Sequence, residues 1–263
     1  MENRDERKRT AVVGIGVFGA RVAADLRQTV RLDVDAVAIT DRPGDWTALP
    51  SIVVEDGLRA RQLGTDLAEF VTGHRLVFLV GDAGDPLYAP TAPWIAALAR
   101  EFGAGAVEVV RTGGETPGPS AGSVAMTVAV DDDGDACAAV ACLFDATDGC
   151  PRLGAGGDTG GLATLGLGRT ARFTHVHAHG ALDELALRAA RRVGPADTYL
   201  AVFCVAPDTD VEEINRAASL IGQGRTQVCI AVGKERHGRC LALFAIGARP
   251  PGGRETMERG KDR

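Results

Sequence analysis

Arg75-Leu76-Val77-Phe78-Leu79-Val80, Gly81-Asp82-Ala83-Gly84-Asp85-Pro86-Leu87-Tyr88-Ala89-Pro90, and Thr91 to Arg100 followed by Gly105-Ala106-Val107-Glu108-Val109-Val110 decide the fold. The first segment is an apolar strand. The third predicts a helix with Thr91 as its cap and Pro93 in its first turn, leading into a parallel strand. A loop held between a strand end and a helix N-terminus normally cradles phosphate with glycine N–H groups. Here Asp82 and Asp85 would repel phosphate, and Pro86 and Pro90 remove amide donors. The stretch reads as a nucleotide-site scaffold whose chemistry has been taken away.

Upstream, Ala11 to Ile15 predicts a strand, about Gly19 to Gln28 a helix and Asp35 to Ile39 the next strand. A short irregular stretch then precedes a helix over Leu58 to Thr72. Strands alternating with helices imply a parallel, doubly wound sheet covered on both faces. Downstream come a Gly/Pro loop, Gly113 to Ser120, and a strand, Ser123 to Val130. Residues 131–148 read two ways: Asp131-Asp132-Asp133-Gly134-Asp135 turns a hairpin, or precedes a short helix over Ala136 to Phe144. That acidic run lacks calcium-loop spacing and reads as a solvated turn.

The second half changes character. Leu182, Leu185, Ala186, Ala189, Ala190 and Val193 form one helical face, and Tyr199 to Val205 a strand. Thr209 or Asp210 caps a helix bearing Val211, Ile214, Ala218 and Ile221, with Glu212 or Glu213 completing a capping box. Gln227 to Val232 and Leu241 to Ile246 predict a hairpin around Lys234 to Gly238. The division expected is a charged tail over 1–9, a nucleotide-binding-type domain over 10–148, a Gly-rich connection over 149–160, a small α+β domain over 161–248 and a disordered tail over 249–263.

The 263 residues carry a net charge of −6, which gives no electrostatic case for nucleic acid or an anionic membrane. No apolar run reaches the roughly 20 residues of a membrane helix, so a cytoplasmic protein is expected. Cys204, Cys229 and Cys240 fall inside apolar strands, and Cys137, Cys142 and Cys150 match no zinc-ligand spacing. All six are expected to be thiols without a metal. His175, His177 and His179 alternate, so on a strand they would share one face and could bind a metal. With no acidic or cysteine partner beside them in sequence, a solvated loop is the preferred reading.

Gly14-Ile15-Gly16-Val17-Phe18-Gly19 is a G-x-G-x-x-G between strand and helix, and Asp41 ends the next strand where a dinucleotide fold places its ribose-binding acid. The alternative is a tight turn that lets the helix pack close to the strand. Phe18 is bulky where phosphate would approach.

Together these segments resemble the FtsZ/tubulin superfamily, closer to FtsZ. Val13-Gly14-Ile15-Gly16 is similar to the family's first glycine loop, and Ala38-Ile39-Thr40-Asp41 sits where the family has Val-Asn-Thr-Asp. Gly161 to Gly168 is similar to its Gly-x-Ala-x-x-Gly-x-Gly strand, and Asp210 to Ala217 and Ala245-Ile246-Gly247 also correspond. Of its Gly-Gly-Gly-Thr-Gly-Thr-Gly signature only the first glycine survives, Gly84, before Asp85-Pro86-Leu87-Tyr88-Ala89-Pro90. Its catalytic loop has no counterpart around Thr147 to Arg152, and its central helix is shortened.

The resemblance implies an assembly or regulatory protein of cell division or membrane remodelling, without catalytic residues. Nucleotide contacts, GTP or GDP, would fall on Gly14, Gly16, Gly19, Asp41, Gly81 and Gly84. The protein alone would be monomeric or dimeric, with a complete FtsZ-like filament as partner. The competing readings are an NAD(P)-type enzyme or sensor using the same glycines and Asp41, and a GTP-binding module that does not hydrolyse. Tyr88 either meets a partner from an exposed loop tip or covers the vacated phosphate site.

Overall fold

A computed structural model describes residues 9–29, 34–41, 49–54, 60–113, 124–148, 169–178, 181–222, 226–232 and 239–247. In chain order the elements are β1 (Arg9–Ile15), α1 (Gly16–Gln28), β2 (Val34–Thr40), β3 (Ser51–Val53), α2 (Ala60–Val71), β4 (His74–Asp82), α3 (Tyr88–Glu101) and β5 (Gly105–Arg111). They continue as β6 (Met126–Val130), α4 (Asp133–Asp148), β7 (Arg169–Ala178), α5 (Leu182–Val193), β8 (Thr198–Val205), α6 (Val211–Ile221), β9 (Thr226–Val232) and β10 (Arg239–Ile246). The predicted α/β class is what the structure shows.

One sheet of ten strands runs β3-β2-β1-β4-β5-β6-β7-β10-β8-β9. Its neighbours pair in parallel except β10, which is antiparallel to both β7 and β8. Hydrogen bonding passes from β6 to β7 (Met126 opposite Arg169), so the sheet is continuous between the two halves of the chain. Alternation along each strand divides the core. Phe78, Val107, Val128, Val202 and Phe244 face α1 and α4, while Val77, Leu79 and Val110 face α2 and α3 on the opposite side. On that second side Val176, Phe203 and Leu243 lie under α5 and α6.

Local chemistry explains the helices. α5 buries Leu182, Leu185, Ala186, Ala189 and Val193, with Asp183 and Glu184 in its first turn and Arg191 and Arg192 in its last, each complementing the helix dipole. α6 is capped by Asp210, whose carboxylate accepts from the Glu212 N–H at 2.9 Å.

Four local expectations need correcting. Of the two readings of residues 131–148 the helix holds and the hairpin does not, and the helix is longer than Ala136 to Phe144: Asp132 accepts from the Asp135 and Ala136 N–H groups, and α4 runs over Asp133–Asp148 with Asp133 and Asp135 at its positive end. β9 and β10 do not form a hairpin. β10, buried from Leu241 to Ile246, takes an interior place between β7 and β8, and β9, with Gln227 exposed, takes the edge beside β8. A run apolar on both faces is stable only where both faces are covered. β3 stands where an irregular stretch was expected. Residues 175–178, read as loop, belong to β7. Gly161 to Gly168 lies outside the described residues.

Candidate functional site

The β1–α1 and β4–α3 junctions meet at the carboxyl edge of the sheet, where open α/β sheets place ligands. Gly16 opens α1 with φ of +71°, turning the chain directly from strand into helix. Gly14 and Gly19 serve packing: a Cβ on Gly14 would run into the Gly19 carbonyl, and a Cβ on Gly19 into the Val80 carbonyl. The close helix–strand approach offered as the alternative to phosphate binding is therefore real. Phe18 does not stand in a phosphate's way, because it is buried in the α1/α4 core with the Arg111 guanidinium 4.4 Å over its ring.

The β4–α3 loop is closed by its own groups. The Ala83 N–H donates to the Arg111 carbonyl at 2.9 Å, Gly84 N–H to the Asp82 carboxylate at 2.8 Å and Asp85 N–H to the Asp82 carbonyl at 3.0 Å. The Leu87 N–H donates to the Asp85 carboxylate at 2.9 Å and Tyr88 N–H to the Asp85 carbonyl at 3.0 Å. Pro86 has no N–H. Each amide that could face a phosphate between Ala83 and Tyr88 already has an internal acceptor. α3 also starts at Tyr88 rather than at Thr91: the Asp85 turn leads the chain into it, its N-cap Leu87 makes no side-chain cap bond, and Thr91 is buried one turn inside. Pro90 occupies the first turn, and Pro93 lies within the helix.

Two side chains fill the remaining space. Asp85, half-buried, places its carboxyl carbon 2.8 Å from where a Cβ on Gly16 would sit, so its carboxylate lies over the N-terminus of α1. Tyr88 lays its ring against Gly81 and is only 8% exposed. It is not an exposed loop tip. Burial pushes its hydroxyl well above the usual range, and the nearby Glu108 carboxylate adds to that. Asp82 is not an uncompensated repulsive charge either, since Arg111 donates to it from Nε at 2.8 Å and again from its terminal nitrogen. Burial raises its carboxyl, but Arg111 and the Gly84 N–H outweigh this and leave it below its usual value. Arg111 also approaches Asp133 at 4.0 Å, and Asp133 pairs with Arg21 at 3.1 Å. Arg111, Arg21 and Asp133 carried no local sequence signal for this role, because they come from three different elements.

Asp41 is exposed just beyond β2, Gly84 is exposed, and Pro86, Ala89 and Pro90 line the outer rim of the loop with half-buried Leu87. The structure thus gathers Gly14, Gly16, Gly19, Gly81 and the 82–90 loop at one edge. His175 and His177 lie far along the sheet on β7; His179 is outside the described residues.

No family model matches the sequence, and no curated protein sequence matches it. Solved structures do. FtsZ from M. jannaschii, in an empty dimer, superposes with a TM-score of 0.74 at 13% identity, covering 93% of this chain and 89% of that one. The fold is FtsZ/tubulin-like. CetZ from Methanosaeta thermophila strain DSM 6194 follows at 0.71 and 16% identity, over 92% and 87% of the two chains. TubZ of Clostridium botulinum phage c-st gives 0.59 at 13% identity, over 93% of each. At such identities the likeness is one of fold, and the site must speak for itself. Among the described residues no helix is long and apolar enough to cross a membrane.

Proposed function

We propose that this chain is a divergent FtsZ-like assembly or regulatory protein of cell division or membrane remodelling, without GTPase activity and with little affinity for GTP or GDP. One observation carries the reading: Asp85 lies over Gly16 while the loop's own acceptors hold its amides. A triphosphate would have to displace a carboxylate, break those bonds and find replacements for two prolines. The division into a nucleotide-binding-type region over 10–148 and a smaller α+β region over 161–248 belongs to this proposal. So does a cytoplasmic protein that is monomeric or dimeric alone and caps or decorates a filament made by a complete FtsZ-like relative. FtsZ-type contacts are head to tail, and such heterologous contacts propagate only when both faces work.

Calorimetry with GTP and magnesium, with light scattering and negative-stain microscopy, tests this. Heat of binding at the noise level and no polymer from this protein alone are expected. Micromolar GTP binding with phosphate release, or long single-protein filaments, would overturn it.

The dinucleotide reading has one observation in its favour, the strand order β3-β2-β1-β4-β5-β6. It requires a pyrophosphate at the N-terminus of α1, where Asp85 already lies.

A further inference from the structure

His175 and His177 project from the same face of β7, their ring centroids 4.1 Å apart and their planes at 68°. β10 runs antiparallel beside them with Cys240 directly opposite His177 and Ala242 opposite His175. The small Ala242 leaves room for the imidazole, and Cys240 brings its thiol to the pair. One ligand atom from each of His175, His177 and Cys240 lies within 4.8 Å of the other two. A tetrahedral zinc with bonds of about 2.0–2.3 Å needs donors roughly 3.3–3.8 Å apart, a distance that small side-chain rotations reach from here. Cys204 stands opposite Cys240 on β8 and shares a hydrogen bond with Cys142 of α4.

We propose that His175, His177 and Cys240 form a zinc-type cation site, independent of the nucleotide-type loop. Two imidazoles and a thiolate are the donors of a borderline-soft cation, whereas magnesium and calcium take oxygen, and this trio offers none. Three protein donors leave a fourth position, and the exposure of His177 opens it to water or to a ligand from a partner. Placement supports use rather than accident. β7 is parallel to β6, so His177 lies at the carboxyl edge of the sheet, the edge that also carries Gly16 and Asp82. Neither histidine fills a core position: His175 is half-buried and His177 exposed, so packing alone does not require imidazole at both.

The sequence hides the cluster because Cys240 is far from both histidines in the chain and meets them only through strand pairing. The physical correction to the expectation of a loop without a cysteine neighbour is that β7 is a strand and β10 lies next to it.

The full chain, reduced and stripped with a chelator, is equilibrated with zinc, passed through gel filtration and assayed for metal; cobalt(II) is then used as a spectroscopic probe. About one zinc per chain should be retained, and cobalt should give a thiolate-to-metal charge-transfer band. Cys240→Ser should abolish that band, and His177→Gln should weaken zinc binding about tenfold or more. His177 is exposed, so His177→Gln will leave the thermal melt of the metal-free protein nearly unchanged and keeps the test valid if Cys240→Ser misfolds. Metal well below stoichiometric in the unaltered protein, or binding that survives both substitutions, would overturn the site.

Discussion

Asp85→Ala should convert the closed loop into one that tolerates nucleotide. The Asp85 carboxylate accepts from the Leu87 N–H at 2.9 Å and lies against the first turn of α1. The hydrogen bond and the helix dipole together hold it there by about 1–2 kcal/mol. An entering phosphate either displaces it and loses that amount or sits beside it. Two unit charges about 4 Å apart cost ~1 kcal/mol in water and ~4 kcal/mol at an effective dielectric constant of 20. Relief on removing the carboxylate is thus about 1–4 kcal/mol, a gain of roughly 10- to 1,000-fold in affinity. From millimolar or weaker in the unaltered chain, GTP binding by Asp85→Ala should move into the range calorimetry measures, with no phosphate release. The variant should also lose about 0.5–1.5 kcal/mol of stability with the hydrogen bond from the Leu87 N–H. If Asp85→Ala binds GTP no better than the unaltered chain, the carboxylate is not what closes the loop, and if the unaltered chain binds at micromolar levels it is not closed at all.

Tyr88→Phe should stabilise the fold by about 1 kcal/mol in urea denaturation, because the buried hydroxyl has no hydrogen-bond partner, whereas Tyr88→Ala should cost about 3–5 kcal/mol by uncovering Gly81. The pair Asp82–Arg111 should make stability depend on pH with a definite sign. Asp82 sits below its usual value of 3.8 in the folded chain, so its contribution is complete above that value and disappears as pH falls through the lower folded value. With Asp82 24% and Arg111 34% exposed, solvent limits the effect, and Asp82→Asn should cost about 1 kcal/mol at pH 7 and progressively less as pH falls below the usual carboxylate value. NAD and NADH should leave the melting temperature of the unaltered chain and of Asp41→Ala alike; a rise that Asp41→Ala removes would favour the dinucleotide reading.

The elements that were legible in sequence were those whose burial is periodic. Leu182, Leu185, Ala186, Ala189 and Val193 declare α5, and Asp210 with Ile214, Ala218 and Ile221 declares α6, since a stripe and a cap are local properties. The start of α3 was not legible. It has no side-chain cap; the turn before it is closed by Asp85, whose carboxylate the sequence suggested only as a repulsive charge. β7 was hidden because Arg169, Thr170, Arg172, Thr174, His175 and His177 make it polar on a strand whose Ala171, Phe173 and Val176 are buried. The place of β10 was a tertiary matter: nothing local tells a buried run whether to pair with its predecessor or to insert between β7 and β8.

The same distinction separates the two candidate sites. At the nucleotide-type edge, sequence alone pointed to missing amide donors at Pro86 and Pro90, because proline lacks a donor in any fold. What it could not show is that the loop answers this loss from within, with Asp82 neutralised by Arg111, Asp85 over Gly16 and Tyr88 on Gly81. A merely degenerate site would leave orphan amides and a gap, which is costly, and a loop under no constraint would not need so many mutually dependent partners. The closure therefore ties the β4–α3 loop to β5 through Arg111 and to α1 through Asp85 over Gly16, using the loop's own groups. Under the proposed function, an edge filled by the chain's own side chains would offer a capping or decorating face that no nucleotide has to complete.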